Sequence, residues 1–191
     1  MQPFERSDPA HDPTLRDPCP LRRLGHPLAF SAEEEDRIER LLSRYPTREA
    51  AILPMLWMIQ DRHGWIPEEA VSLVAERCGV PPSHAYGVVS FYTMFRREPG
   101  GRHQLQICTN LSCQLMGAEH LLDCLRRRLG IGPGETAADG LFTLNEVECL
   151  AACEMAPVVQ VDDEFHGPLD DRGLGELLDG LRARAAKEGR I

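Results

Sequence analysis

The chain has 191 residues, of which 42% are hydrophobic and 27% are charged, and its formal net charge is −9. That length accommodates one medium domain or two small ones, and the hydrophobic fraction is sufficient for a packed core. The excess of negative charge argues against non-specific nucleic-acid binding, which requires a basic surface, so we expect no nucleic-acid partner.

The apolar stretches of the sequence match neither a secretory signal peptide nor a membrane-spanning helix. The first residues, MQPFER, contain no apolar core of a secretory signal peptide. The longest nearly apolar stretch, residues 50–59, is interrupted by Pro54 and is far shorter than a membrane span. We therefore expect a cytoplasmic chain with no direct membrane insertion. Seven cysteines, an odd number without an export signal, favour metal or redox use over a disulfide framework.

Residues 1–30 are expected to form a flexible N-terminal arm. Few large apolar residues occur there, and the segment holds six of the 15 prolines: Pro3, Pro9, Pro13, Pro18, Pro20 and Pro27. Two interpretations stay open for the arm, a disordered tail or a segment that docks on a partner. Cys19 lies within it and is assigned no role.

Residues 31–100 are predicted to form a helical bundle. Ser31 and Glu34 have the spacing of a capping box. An apolar helical face then recurs at Ile38, Leu41, Leu42 and Tyr45. Further helices are expected at three places: Thr47 to Ile59 with a kink or a late start at Pro54, Pro67 to Gly79, and onward from Pro81 or Pro82. Trp57 and Trp65 are expected to be packing anchors.

Residues 101–191 are predicted to form an α/β unit with the order β-α-β-β-α. Strands are expected at about 102–107, 141–147 and 158–161, and a helix at about 114–129. The apolar face of a last helix is carried by Leu174, Leu177, Leu178 and Leu181. The fold class is therefore expected to be α+β, a helical bundle followed by an α/β domain.

Four cysteines in the C-terminal half have a spacing typical of a metal centre. Four residues separate Cys108 from Cys113, 35 separate the two pairs, and three separate Cys149 from Cys153. A [2Fe–2S] cluster needs four thiolates, and plant-type ferredoxins also begin with two cysteines four residues apart. Structural zinc sites more often use two intervening residues, although spacings of up to four occur. The spacing favours an iron–sulfur cluster, and a zinc site stays open.

The residues around these cysteines resemble those of a known family. The stretches concerned are ICTNLSC at 107–113, ECLAACEMAP at 148–157, SFYTMF at 90–95 and PGGR at 99–102. They are similar to the thioredoxin-like [2Fe–2S] subunit of the NADH-dehydrogenase module of respiratory complex I, often called its E subunit. The resemblance covers about residues 30–190. The family often has glycine at the position of Ala151, either because the loop needs a positive φ or because it needs a small side chain.

The resemblance implies a fold, a cofactor and partners. It implies that the α/β domain is a thioredoxin-like ferredoxin domain whose Cys108 and Cys113 bind one iron and Cys149 and Cys153 the other. It implies one-electron exchange with FMN on a partner subunit that also binds NADH, since the chain has no G-x-G-x-x-G fingerprint or P-loop of its own. Other complex I subunits are further expected partners, and the chain is expected to lie peripherally on the cytoplasmic side of the inner membrane.

Alternatives remain within and outside this chemistry. An equivalent subunit of an NAD-linked hydrogenase or formate dehydrogenase has the same motif, a free-standing ferredoxin is a second possibility, and a zinc-stabilised interaction module is a third. The remaining cysteines, Cys78 and Cys124, are expected to be structural. None of the seven histidines forms an i, i+4 pair with another, and His103 is expected to be a surface residue.

Overall fold

The structure is a computed structural model in which residues 21–187 are described. The chain divides into two compact units, Met1–Pro99 and Gly100–Ile191. Of the predicted arm, residues 1–20, including Cys19, lie outside the described residues. Residues 21–30 are described, and Leu21 and Phe30 are buried in the core of the first unit. Among residues 21–187, none of the helices is long and apolar enough to span a membrane.

Residues 21–99 of the first unit contain four α-helices, and their ends follow from the local sequence. The helices are α1 (Ala32–Leu42), α2 (Ile52–His63), α3 (Glu68–Cys78) and α4 (Pro82–Phe91). The predicted capping box is confirmed, because Ser31 accepts from the Glu34 amide while the Glu34 carboxylate accepts from the Ser31 amide. Gly64 and Gly79 end α2 and α3 in the left-handed conformation, which glycine adopts without steric cost.

Pro54 explains the start of α2. A 3-10 helix, Arg48–Ala51, precedes α2, and Pro54 is its third residue. Amides of a first helical turn have no partner within the helix, so proline is tolerated there and the predicted late start is confirmed. Trp65 is buried as expected, whereas Trp57 is 36% exposed and contacts the Phe95 ring. Tyr45 was predicted to complete the face of α1, but it lies beyond the helix end and is exposed.

The second unit is a five-stranded mixed sheet with two long helices. Its strands are β1 (His103–Cys108), β2 (Glu135–Thr136), β3 (Phe142–Val147), β4 (Val159–Val161) and β5 (Glu164–His166), in the order β2-β3-β1-β4-β5. Only β1 and β3 are parallel, and the chain passes between them through α5 (Leu111–Leu115) and α6 (Ala118–Leu129). The helix α7 (Asp171–Lys187) follows β5. The predicted α+β class is confirmed.

The core of the second unit is built from alternate residues of the central strands and the apolar faces of the helices. Leu105, Ile107, Leu144 and Val159 are fully buried in the strands. The predicted leucine face of α7 is confirmed at the buried Leu174, Leu178 and Leu181, and Leu177 packs against the same core. The helix predicted at 114–129 is wrong in its bounds, because Gly117, at φ +99°, separates α5 from α6.

Candidate metal centre

The two cysteine pairs lie at one edge of the sheet because β1 and β3 are parallel. Cys108, the last residue of β1, is directly opposite Val147, the last residue of β3. The Thr109 amide donates to the Val147 carbonyl at 3.2 Å, which holds the two strand ends together. Cys149 follows Val147 by two residues. The register of one strand pair therefore brings the first residues of both cysteine segments together.

The first cysteine pair is carried by regular structure. Asn110 caps α5 by accepting from the Leu111 amide at 2.8 Å, and α5 in turn contains Cys113. Cys108 belongs to β1 and Cys113 to the short helix α5, so neither thiol of this pair lies on a loop. Rigid elements on both sides fix the separation of these two thiols.

The second cysteine pair lies on a loop with an unusual backbone. Cys149 is in an irregular segment, and Cys153 begins a 3-10 helix, Cys153–Met155. Between them Ala151 has φ +54°, the left-handed region that favours glycine. This conformation directs the Ala151 amide toward the Cys149 Sγ at 3.3 Å. Of the two explanations for a small residue here, the structure supports the positive φ.

The four thiols are close enough to influence one another. Burial raises the pKa of the Cys108 thiol. Hydrogen bonds from the Asn110 and Leu150 amides, and with the Cys113 and Cys149 thiols, lower it by more, so the pKa of Cys108 lies below the ordinary value. For Cys113, burial and the neighbouring Cys108 raise the pKa, and Cys153 adds to this through charge. The thiolate, the form that binds metal, is thus favoured at one sulfur of the buried pair.

Small apolar side chains line the site. Cys108 and Cys113 are 3% and 1% exposed, whereas Cys149 and Cys153 are exposed. The same small cluster of buried residues also includes Ala118, Ala152, Ala156 and Val158. Four sulfur donors suit a soft metal centre, either zinc or an iron–sulfur cluster. The residues present therefore fit a [2Fe–2S] cluster, which one buried and one exposed pair of cysteines would hold.

Backbone amides supply the hydrogen bonds to the cysteine sulfurs. The Asn110, Leu150 and Ala151 amides point to these sulfurs. The Val158 amide donates to Cys113 and was not predicted. It precedes β4, and its position depends on the pairing of β4 with β1.

The hydroxyl-bearing residues of the first cysteine segment, Thr109 and Ser112, neither cap α5 nor donate to a cysteine sulfur. Thr109 Oγ1 donates to the Val147 carbonyl at 3.5 Å. Ser112 lies inside α5, whose cap is Asn110. The hydroxyl-bearing residues of this segment therefore support the strand end and the helix, and the sulfurs are served by backbone amides.

Other residues considered from the sequence lie away from the four thiols. Cys78 is buried in the core of the first unit, as expected. Cys124 is buried in the second unit, close to His120 and Asp171. His103 was expected at the surface, but its side chain is only 15% exposed, and its Nδ1 is 2.7 Å from a carboxylate oxygen of Asp162.

Comparison with known proteins identifies the fold and the family. The family model described as thioredoxin-like [2Fe-2S] ferredoxin matches residues 38–182. The chain belongs to this family. The match includes all four cysteines of the site, and it extends into the helices of the first unit.

Relatives of this chain include named oxidoreductase subunits. A relative from Rhizobium meliloti (strain 1021), named as the E 2 subunit of NADH-quinone oxidoreductase, is 49% identical over 148 residues, which are 78% of this chain and 88% of the relative. A relative from Thermus thermophilus, named as subunit 2 of NADH-quinone oxidoreductase, is 44% identical over 159 residues, 82% of this chain and 88% of the relative. A mitochondrial relative of Dictyostelium discoideum, "NADH dehydrogenase [ubiquinone] flavoprotein 2", is 40% identical and covered over 64% of its length.

A solved structure shares the fold of this family member. A chain of NAD+-reducing [NiFe]-hydrogenase in the air-oxidised state superposes with a TM-score of 0.62 at 21% identity. The match covers 72% of this chain and 24% of the hydrogenase chain. At this identity the likeness establishes the thioredoxin-like ferredoxin fold and carries no assignment of function.

Proposed function

We propose that this chain is the electron-transfer subunit of an NADH-quinone oxidoreductase, respiratory complex I, and that it holds one [2Fe–2S] cluster. The observation that carries the proposal is the convergence of four thiols at one sheet edge, from two segments 35 residues apart. Relatives with the printed name NADH-quinone oxidoreductase, at 44% and 49% identity, support the assignment to this complex.

Each residue of the site has a defined task in this proposal. Cys108, Cys113, Cys149 and Cys153 are the four ligands, and a bound [2Fe–2S] cluster supplies one-electron oxidation and reduction. The amides of Asn110, Leu150, Ala151 and Val158 donate to the sulfurs and spread their negative charge. Burial of Cys108 and Cys113 keeps water from one half of the site. These hydrogen bonds and this partial exposure set the reduction potential.

An exposed apolar surface beside Cys113 supports a partner that docks at this site. Leu111, Leu115 and Met116 are 70%, 78% and 60% exposed, although leucine and methionine are usually buried. We propose that this surface of α5 contacts the subunit that binds FMN and NADH, which brings flavin and cluster within electron-transfer reach. Other complex I subunits are then indirect partners, and the assembly places the chain peripherally on the cytoplasmic side of the inner membrane.

Metal and sulfide analysis tests the cluster. The purified chain should contain about two irons and two sulfides per molecule, as one [2Fe–2S] cluster requires. After reduction it should give an electron paramagnetic resonance signal. Cys113→Ser should lose most of the visible absorbance. Cys124→Ser, a matched change in the same unit outside the site, should retain it. An unchanged visible spectrum in Cys113→Ser contradicts the ligand assignment, and zinc without iron supports the interaction module.

Co-purification tests the complex. An affinity tag on the chain in its native cells, solubilised in mild detergent, should recover a flavin subunit together with membrane-embedded, quinone-reducing subunits. Recovery of a hydrogenase or formate dehydrogenase subunit instead would keep the cluster chemistry and change the pathway. Leu115→Glu should reduce recovery of the flavin subunit without loss of iron. Ser112→Glu, which adds the same charge at another exposed position of α5, is its control.

A further inference from the structure

Three side chains in the second unit bring different metal-binding atoms to one point. His120 and Cys124 are four residues apart on α6, so they lie on the same face of that helix one turn apart. Asp171, the first residue of α7, lies against them. Their ligand atoms all lie within 4.8 Å of one another. This cluster shares no residue with the four-cysteine site.

The distances within the cluster are close to those of a tetrahedral metal site. Cys124 Sγ is 3.6 Å from His120 Nε2 and 3.2 Å from Asp171 Oδ1, and the nitrogen and oxygen are 2.8 Å apart. Zinc distances of about 2.3 Å to sulfur and about 2.1 Å to nitrogen or oxygen place tetrahedral ligand atoms roughly 3.4–3.6 Å apart. The distance from Cys124 Sγ to His120 Nε2 therefore needs no change, and the distance from His120 Nε2 to Asp171 Oδ1 has to increase by roughly 0.6 Å.

Exposure differs among the three residues in a way that lets an ion reach the site from solvent. The Cys124 residue is only 3% exposed, whereas the His120 and Asp171 side chains are 66% and 54% exposed. The thiol therefore forms the floor of a shallow site, and the two exposed side chains can move apart to admit an ion. A fourth position, on the solvent side, is left for water.

We propose that His120, Cys124 and Asp171 form a second metal site that binds a divalent transition-metal ion of the zinc type. Sulfur, imidazole nitrogen and carboxylate oxygen together are a typical zinc donor set. The thiol proton is released to solvent when the ion binds, so the step needs no oxidant or reductant. The bound ion would connect α6 to the first turn of α7, two helices that also share an apolar core and the hydrogen bond from Arg128 to the Asp171 carbonyl.

One neighbouring cation competes with the metal. Arg127 Nη2 donates to Cys124 Sγ at 3.0 Å, and this arginine is otherwise exposed. It has to swing into solvent before the ion binds, and its positive charge repels the ion. Arg128 Nη2 donates to the backbone carbonyl of Asp171, which leaves the carboxylate oxygens to the ion, although the charge of Arg128 also attracts that carboxylate and helps to lower its pKa. Removal of the Arg127 side chain should therefore strengthen metal binding.

Equilibrium dialysis against zinc sulfate tests the site on the full, cluster-loaded chain under anaerobic conditions. Zinc and iron are both counted in the same sample. We expect one zinc per chain above the iron already present, with no loss of iron. His120→Ala and Cys124→Ser should weaken zinc binding at least roughly tenfold, the range seen when metal-site residues are altered. Arg127→Ala should tighten it.

Matched variants separate the site from general electrostatics and from misfolding. Asp171→Asn should weaken zinc binding, whereas Asp123→Asn, the same charge change on α6 at a residue that pairs with Arg126, should not. His120 is exposed, so its alanine variant reports binding in a folded chain, and the retained visible spectrum verifies this. Equal zinc binding by wild type and Cys124→Ser, or zinc uptake matched by iron loss, overturns the proposal.

Discussion

Replacement of Ala151 by glycine should stabilise the second unit. Ala151 is exposed and has φ +54°, so the substitution removes backbone strain and little buried surface. A left-handed conformation costs an L-residue about 1–2 kcal/mol. The greater freedom of glycine in the unfolded chain offsets about 0.4–1 kcal/mol of that gain. The net increase in the free energy of unfolding is about 0.5–1 kcal/mol.

Native-state hydrogen exchange measures this change where it acts. Amides of β1, such as those of Leu105 and Ile107, exchange through unfolding of the second unit. In the cluster-loaded Ala151→Gly variant they should exchange about two- to fivefold more slowly, the factor that corresponds to the expected free energy. Ala152→Gly is the control, because Ala152 is buried with φ −118° and its replacement should speed exchange. Exchange in Ala151→Gly that is equal to wild type or faster would refute the strained-loop argument.

Four further substitutions test the packing of each unit. Gly101→Ala should prevent stable folding of the second unit, because a Cβ there would lie 2.5 Å from the Phe142 carbonyl carbon; β1 amides should lose their protection from exchange. Gly180→Ala, inside α7 with no atom near the added carbon, should instead raise the free energy of unfolding by about 1 kcal/mol in the same assay. Gln60→Leu should lower the free energy of unfolding of the first unit by about 2–4 kcal/mol, because the buried side-chain amide donates to the Met94 carbonyl and accepts from the Arg96 amide. Urea unfolding followed by tryptophan fluorescence measures this loss, since both tryptophans lie in this unit. Ser31→Ala should cost about 1 kcal/mol by that same measurement, through loss of the α1 cap.

Much of the candidate site could be predicted because its determinants are local. The cysteine spacing, the strand before each pair and the glycines that end helices are all readable over a few residues. Cys108 and the segment before Cys149 were placed correctly at strand ends. The positive φ of Ala151 was one of two explanations for a small residue at that position, and the backbone conformation supports it.

Features that depend on tertiary contacts or on very short elements were missed. The apolar periodicity of α6 continues toward Cys113, and only Gly117 signalled the break that makes α5 a separate helix. Strand β2 has only two residues, and β5 lacks the valines that mark the equally short β4 in the sequence. The Val158 amide reaches Cys113 only because β4 pairs with β1, and no local pattern indicates this.

The cluster of His120, Cys124 and Asp171 also combines a feature that is readable from local sequence with one that depends on tertiary contacts. Two of its members are four residues apart on a predicted helix, a spacing that was readable for a mixed histidine–cysteine pair. The third member is 51 residues from His120, and it is brought close by the packing of α7 on the shared core. Half of such a site is visible in sequence, and the other half requires the fold.

Parallel pairing of β1 with β3 also determines when the four thiols can come together as the chain is synthesised and folds. Cys108 and Cys113 leave the ribosome well before Cys149 and Cys153, with 35 residues between the pairs. Parallel strands joined by a helical crossover are non-local contacts, which form late and slowly in folding. A nascent chain that ends before β3 offers two thiols instead of four. The four thiols therefore come together only when the β1–β3 ladder closes.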